Sequence, residues 1–300
     1  YVSVDDVVAR PILDAFEAET GIRVEMRGDT EATKNTGLVQ RLRAERDRPR
    51  ADVFWSSEVF LTIKLAAEGL LRPLEDESVA DWPERLRDED RLWHAFAQRA
   101  RVIAYNTERV SADEAPTMLV DLMHPRWKDR IVMARPQFGT TRGHMATIHS
   151  IWPTETMRFW LESLEDNGLR LVDGNATVVR MIASGEADVG LTDTDDVWAA
   201  QREGWPVGMT YASHWRIYPV EIFRGSVLTI PNTVALIRGG PHPEAGEALA
   251  AFLLSARVER MLAESDSHNI PIRPELAAEF LRRQAGELPA DFADKADAYI

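Results

Sequence analysis

The chain has 300 residues, of which 45% are hydrophobic and 28% charged, a globular composition that allows one large domain or two lobes. With 35 basic and 49 acidic residues the net charge is −14, so we expect no nucleic-acid partner, because phosphate neutralisation supplies most of that affinity. No apolar run reaches the roughly 18 residues that a membrane span needs, so no membrane insertion is expected. The absence of cysteine excludes disulfides and thiolate chemistry.

The first hundred residues alternate between short apolar segments and amphipathic segments. Strands are predicted at residues 2–5, 22–26 and 49–55, and helices at 7–20, 37–45 and 56–68. This order predicts a parallel sheet with right-handed crossovers. Polar residues follow the carboxyl end of each strand, the edge where open α/β sheets bind ligands. The candidate site residues at this edge are Asp5, Asp6, Thr30, Glu31, Ser57 and Glu58.

A second run of alternating elements follows a long strand-like segment at residues 97–105. Strands are predicted at 130–134, 169–172 and 187–191, and helices from 139, at 154–168, at 175–184 and from 197. A long apolar segment at 227–237 precedes helices at 243–254, 256–265, 274–285 and 290–299. The two long segments predict two crossover strands between two doubly wound α/β lobes. Lobe one would hold residues 1–98 and 231–300, and lobe two residues 103–226.

Three carboxylates lie within four residues where the strand at 187–191 gives way to a helix. They repel one another unless they are solvated, capped or bound to a cation. One helix-capping Asp with first-turn acids would account for them, but the carboxyl end of a strand is also where a ligand site is expected. The candidates at this junction are Asp193, Thr194, Asp195 and Asp196.

Two further segments offer donors to an anion. Residues 138–143 combine backbone N–H groups, two hydroxyls and a helix N-terminus, although an ordinary helix cap has the same features. Asn175 precedes another helix in the same way. The candidate donors are Gly139, Thr140, Thr141 and Asn175. For Arg99 and Arg101 we expect surface or salt-bridging roles.

The ordered set of motifs resembles the periplasmic solute-binding proteins of ABC importers, most closely the ferric-iron-binding branch. The resemblance covers residues 1 to about 274. It rests on Tyr1-Val-Ser-Val-Asp5, residues 12–22, Ala51-Asp-Val-Phe-Trp-Ser-Ser-Glu58, residues 101–106, residues 125–131, Gly185-Glu-Ala-Asp-Val-Gly-Leu191 and Pro271-Ile-Arg-Pro274.

This resemblance implies the type II periplasmic-binding fold, in which two lobes close over a ligand by hinge motion. We therefore expect a periplasmic protein in its mature form, because the chain opens directly on Tyr1 without a signal peptide. We also expect a monomer that is not an enzyme and whose partner is the permease of an ABC importer.

The resemblance also implies a metal site, at positions that hold Asp5, Glu58, Asp195 and Asp196 in this chain. The tyrosine pair of the iron branch is replaced by the last two of these residues, and Ser57 takes the place of a glutamate. Carboxylates are still hard oxygen donors that suit hard cations. The ligand implied is Fe(III) or another hard metal ion, with phosphate or carbonate on the anion donors.

Two other functions stay open. A small solute with an anionic and a cationic end, such as an aminophosphonate, would satisfy donors and carboxylates together. An oxygen-ligated Mg²⁺ or Mn²⁺ could also activate water in a metal-assisted enzyme, although no general base stands out. For the binding functions, candidates of lobe one should face those of lobe two across a cleft. Glu58 and Asp193 are the candidates that we expect to be helix caps instead.

Overall fold

The computed structural model describes residues 1–28, 35–137, 139–211 and 227–284. The chain divides into two compact units, each with its own architecture. Within the described residues the first unit contains residues 1–98 and the chain from residue 230, and the second contains residues 99–229. The predicted helix at 290–299 and the candidates Thr30 and Glu31 lie outside the described residues.

Helices and strands alternate along most of the chain. In sequence order they are α1 (Asp6–Thr20), α2 (Thr36–Ala44), β1 (Val53–Ser56), α3 (Phe60–Ala67), β2 (Leu71–Arg72), β3 (His94–Asn106), β4 (Ile131–Ala134), α4 (Gly139–Ile151), α5 (Thr154–Asp166), β5 (Arg170–Val172), α6 (Asn175–Ala183), β6 (Val189–Asp193), α7 (Thr194–Arg202), β7 (Val207–Tyr211), β8 (Thr229–Ile237), α8 (Pro243–Leu253), α9 (Ala256–Glu264) and α10 (Pro274–Gln284). Short 3₁₀ turns lie between several of them. No helix in this described part of the chain is long and apolar enough to cross a membrane.

In the first unit β8 is the strand against which the others pair. β1 and β2 both run antiparallel to β8, with Trp55 opposite Val234 and Leu71 opposite Ile237. Among the described residues the parallel pairing of this unit is a single bridge between Val2 and Trp55. Backbone hydrogen bonds of Tyr1 and Ser3 with β1 have the parallel order predicted for these two segments, but the antiparallel β8 makes the sheet of this unit mixed and not purely parallel. β8 comes from a distant part of the chain, so the local order of elements carried no information about it.

The predicted strand at residues 22–26 is also wrong. Residues 22–28 belong to no strand in the described part of the chain; the Val2 N–H donates to the Arg27 carbonyl, and the Val24 N–H to the Glu17 carboxylate. Val24 and Met26 pack against the core. The alternation of these apolar residues with charged ones thus arises because one face of the segment is buried. The strand pairing that we inferred from the alternation does not follow from it.

The second unit has a mixed sheet with β3 and β6 at its centre. β3 is antiparallel to both β6 and β7, and β4 is parallel to both β6 and β5. Neighbouring residues of β3 and of β4 enter different hydrophobic clusters: Ile103 and Met133 belong to one, Val102 and Val132 to the other. Both faces of the sheet are therefore covered, as expected of a doubly wound lobe. The prediction of an α/β fold class is confirmed.

Candidate functional site

The site residues of the second unit gather at one edge of its sheet. Strands β4, β5 and β6 are parallel, so their carboxyl ends lie at the same edge. There they precede the starts of α4 at Gly139, α6 at Asn175 and α7 at Thr194. Gly139 has φ +58°, a left-handed conformation that favours glycine at this first position of α4.

Asp193, the last residue of β6, is enclosed by donors from three other elements. Its side chain is only 3% exposed. Arg101 Nη1 lies 2.7 Å from Oδ1, and Arg99 Nε lies 3.1 Å from Oδ2. Oδ2 also accepts the Thr140 hydroxyl at 2.8 Å and the Asn175 amide at 2.9 Å. We call Arg99, Arg101, Thr140 and Asn175 the donor cradle.

The cradle keeps Asp193 ionised although it is buried. Burial alone would raise the pKa of this carboxyl, but the guanidiniums of Arg101 and Arg99 and the Thr140 hydroxyl outweigh it and hold the pKa below its usual range. Burial likewise opposes the charge of Arg99, and the neighbouring aspartates overcome it and raise the pKa of that guanidinium. Asp193, the donor cradle and the neighbouring Asp195 thus form a charged network at this sheet edge, with Asp193 and both arginines buried.

The expectation that Asp193 is a helix cap needs correction. It stands at the N-cap position of α7, but its side chain makes no capping hydrogen bond. In β3–β6 pairing Arg101 is directly opposite Asp193, and the close approach of opposed side chains favours an ion pair over a cap. The salt-bridging role expected for Arg99 and Arg101 is confirmed, whereas a surface position is wrong, since both are buried.

Arg101 is fully buried and is held in place by more than its ion pair. Its Nε donates to His144 Nδ1 at 3.3 Å, and Nη1 also reaches the Thr140 hydroxyl at 3.4 Å. Its Nη2, by contrast, is buried and has no hydrogen-bond partner among the described residues. Buried guanidinium nitrogens are nearly always bonded, so this donor has capacity for one more acceptor.

Asp195 and Asp196 follow in the first turn of α7 and are partly exposed. Asp195 Oδ2 lies 3.8 Å from Arg99 Nε, and Asp196 Oδ2 accepts the Thr192 hydroxyl at 3.1 Å. Together with Asp193 they form a possible metal-binding group, because one carboxylate oxygen of each lies within 4.8 Å of the others. Three carboxylates against two guanidiniums leave this cluster one net negative charge.

The remaining candidates of the second unit have simpler surroundings. The Thr194 hydroxyl accepts the backbone N–H of Ala100 at 3.2 Å, so it ties α7 to β3. Thr141 is buried in the first turn of α4. These residues support the sheet edge, whereas the charged network lies around Asp193.

In the first unit the described candidates do not form one cluster. Asp5 and Asp6 are exposed at the start of α1, where Asp6 pairs with Arg10 at 3.5 Å. Ser57 exchanges hydrogen bonds with Ser3. Glu58 is buried, and its carboxylate accepts the Leu61 N–H at 3.2 Å, as expected of a cap.

Sequence reasoning did not assign Arg99, Arg101 and His144 to the site. The available signal was that both arginines occupy alternate positions of a strand whose other residues are apolar. Alternate residues share one face, so the two charges had to be buried together and needed a common counterion. The identity of that counterion follows only from the strand register.

Residues 48–294 match the family described as "Bacterial extracellular solute-binding protein". The chain belongs to this family. It is therefore a protein that binds a solute outside the cytoplasm, and the resemblance seen in the sequence is confirmed at the level of the family. The relatives it matches are binding proteins and not enzymes.

Relatives and a solved structure agree with this placement. "Iron uptake protein A1" of Synechocystis sp. (strain ATCC 27184 / PCC 6803 / Kazusa) is 26% identical over 254 residues, which cover 84% of this chain and 69% of the relative. A "Putative 2-aminoethylphosphonate-binding periplasmic protein" of Salmonella typhi is 25% identical over 275 residues, which cover 88% and 73%. The structure of iron-bound HitA from Pseudomonas aeruginosa has a TM-score of 0.78 at 24% identity, covering 91% of this chain and 85% of that one. Its likeness confirms the fold, the type II periplasmic-binding kind.

Proposed function

We propose that this protein captures a hard metal ion, Fe(III) in particular, and delivers it to the permease of an ABC importer from the periplasm. Asp195 and Asp196 carry the proposal, because one carboxylate oxygen of each lies within 4.8 Å of the other and of one from Asp193, a spacing at which carboxylate oxygens can share one cation. The cradle arginines offset Asp193, so Asp195 and Asp196 are the proposed metal ligands. The iron-uptake relative supports the same choice.

Two further ligands were predicted from the first unit, and both remain part of the proposal. Asp5 is exposed and could accept a metal without losing a side-chain capping bond. Glu58 would have to give up its bonds to the Leu61 N–H and to the Asn35 amide, so we expect a smaller contribution from it. The predicted phosphate or carbonate is left out of the proposal, because its donors bind Asp193.

The test is a competition titration in which Fe(III) is presented as its nitrilotriacetate complex. We expect one Fe(III) per chain and a loss of roughly tenfold or more in affinity for Asp195→Asn and for Asp196→Asn, since each removes a charged donor. Asp173→Asn is the matched control, because Asp173 is an exposed carboxylate of the same unit whose partner is Arg135. Equal affinity in all three variants and the native chain would contradict the assignment of the ligands.

The absorption spectrum of the loaded protein gives a second readout. A site built from carboxylates lacks phenolate, so bound Fe(III) should give no intense visible tyrosinate band. A strong band would show that a tyrosine coordinates the metal, against the proposed ligand set.

A second candidate is a small zwitterionic solute of the aminophosphonate kind. The alternation of guanidiniums and carboxylates in the charged network favours it, as does the Salmonella relative. Calorimetry of the metal-free protein against 2-aminoethylphosphonate tests it directly. Tight binding of a neutral sugar, unaffected by Asp195→Ala or Asp196→Ala, would contradict both candidates.

A further inference from the structure

The donors that sequence analysis assigned to a free anion are directed at a side chain of the protein itself. The Thr140 hydroxyl and the Asn175 amide both donate to Asp193 Oδ2. Arg99 and Arg101 add their charges to the same carboxylate, at 3.1 and 2.7 Å. A buried anion is thus already present where phosphate or carbonate was expected.

A free anion would have to displace this carboxylate from the cradle. Asp193 is 2% exposed, so its displacement would leave a charge buried without the two guanidiniums that compensate it. If it stayed, its charge would repel an incoming anion at short range in a region of low dielectric. Either way the carboxylate excludes a second anion.

The cradle also has more donor capacity than one carboxylate uses. Arg101 is fully buried, and in the described part of the chain its Nη2 has no hydrogen-bond partner, although Nε and Nη1 of the same guanidinium are bonded. A tetrahedral oxyanion presents more acceptor oxygens than a carboxylate and could bond this nitrogen as well. The geometry is therefore that of an anion site in which Asp193 is the occupant.

We propose that Asp193 is a built-in anion that fills the donor cradle, so that this protein binds its ligand without a free phosphate or carbonate. The metal part of this inference rests on the proposed function. The anion part concerns the cradle alone and can be tested without any metal.

The first experiment titrates inorganic phosphate into the metal-free protein by calorimetry. We expect no binding to the native chain. Asp193→Ser vacates the cradle and Asp193→Asn removes only its charge, so phosphate should bind the serine variant most tightly. Its affinity should lie about ten- to hundredfold above the weakest phosphate binding that the titration can detect, the effect of a charge-assisted contact.

Asp188→Asn is the matched control for these variants. Asp188 is also a buried carboxylate of the second unit paired with two arginines, Arg109 and Arg130, but it precedes β6 while Asp193 ends it. We expect this variant to bind no phosphate. Circular dichroism verifies that each variant is folded, and if the serine variant is not, the native chain and Asp193→Asn still decide the outcome.

Two results would overturn the proposal: phosphate binding by the native chain as tight as by the variants, or phosphate binding by none of the folded proteins.

The second experiment compares Fe(III) affinity in carbonate-free buffer with and without phosphate. The native chain should change by less than about twofold, and Asp193→Ser should gain about tenfold with phosphate. A native chain that needs phosphate would overturn the inference. Failure of every form to bind metal would refute the proposed function instead, and the phosphate titration would still decide the role of Asp193.

Discussion

His94, near the junction between the two units in the sequence, is a buried base whose protonation opposes folding. It is 1% exposed beside the Trp82 ring, at 6.3 Å between ring centroids. Burial, with smaller contributions from the charges of Arg87 and Arg91, lowers its pKa to about 4. The ordinary value is about 6.5, so the unfolded chain takes up this proton first as the pH falls.

The free energy of unfolding should therefore decrease as the pH falls from about 6.5 toward 4, by about 2–3 kcal/mol from this group. His94→Phe keeps a ring against Trp82 but cannot titrate, so the variant should lack this part of the pH dependence. Urea unfolding of both proteins at neutral pH and at about pH 4.5 measures the difference, and carboxylates that titrate in both cancel. An equal loss of stability in the two proteins would contradict the role assigned to His94.

At the same scale, the sequence identified most members of the charged network but not their partners. Thr140, Asn175 and Asp193 were candidates because each lies at a strand or helix terminus, which a local pattern reveals. That Arg101 stands opposite Asp193 depends on the register of β3 against β6. Register is set by packing along the whole strand, and no short motif encodes it.

Among elements, the contact of β6 with its neighbours limits side-chain size. Gly190 of β6 faces β4 and α6 so closely that a Cβ there would lie 2.5 Å from the Val132 carbonyl oxygen and 2.9 Å from Val178 Cγ1. The backbone oxygen cannot move without disturbing the β4–β6 pairing. This glycine thus allows the sheet and α6 to pack closely behind the charged network.

Gly190→Ser should lower the free energy of unfolding by about 2–3 kcal/mol, because it overpacks this contact and buries a hydroxyl. The same substitution at Gly174 is the control, since a Cβ there meets nothing within 4 Å and serine is a good N-cap for α6. We expect Gly174→Ser to change stability by less than about 0.5 kcal/mol. Thermal and urea unfolding of the two variants decide, and equal destabilisation would refute the packing argument.

Helices were easier to predict than strand pairings. The helix α1 was expected to end at Gly21, and it does, with φ +70° at that glycine and its N–H donating to Glu17. Such signals are local. Residues 22–26 alternate between apolar and charged residues but are not a strand of the described chain, because alternation indicates one buried face and a strand also needs a pairing partner.

For the whole molecule, the hydrophobic core separates by unit. Two clusters are built from residues of the first unit alone, and two from residues of the second alone. Among the described residues the second unit is also one continuous stretch of the chain, within Arg99 to Thr229. A continuous segment of about 130 residues with its own two-sided core is large enough to fold alone.

We therefore expect residues 99–229, expressed as a separate chain, to unfold cooperatively in urea. Residues 1–98 alone should not, because β8 belongs to the chain from residue 229 onward and provides the strand partner of β1 and β2. Circular dichroism and denaturant titration of the two fragments test this. A cooperative transition in the shorter fragment, or none in the longer one, would contradict the assignment of independent cores.

At this scale the resemblance in the sequence indicated the family correctly, whereas the ligand chemistry depends on side chains that depart from the family pattern. Asp195 and Asp196 were visible as such a departure. The occupation of the donor cradle by Asp193 was not visible in the sequence, because it depends on hydrogen-bond donors from β3, α4 and α6 that meet only in the folded chain.

A tethered carboxylate has an effective concentration that chain geometry fixes, and the surroundings of the cell do not alter it. Dissolved phosphate and carbonate vary with nutrient supply, pH and exchange with air. A binding protein that needs either ion as a co-ligand binds its own ligand less tightly whenever that ion is scarce. With Asp193 in the donor cradle, this protein should bind its ligand equally well in phosphate-starved and phosphate-replete habitats. Its performance would then depend on the supply of the nutrient it collects and not on a second one.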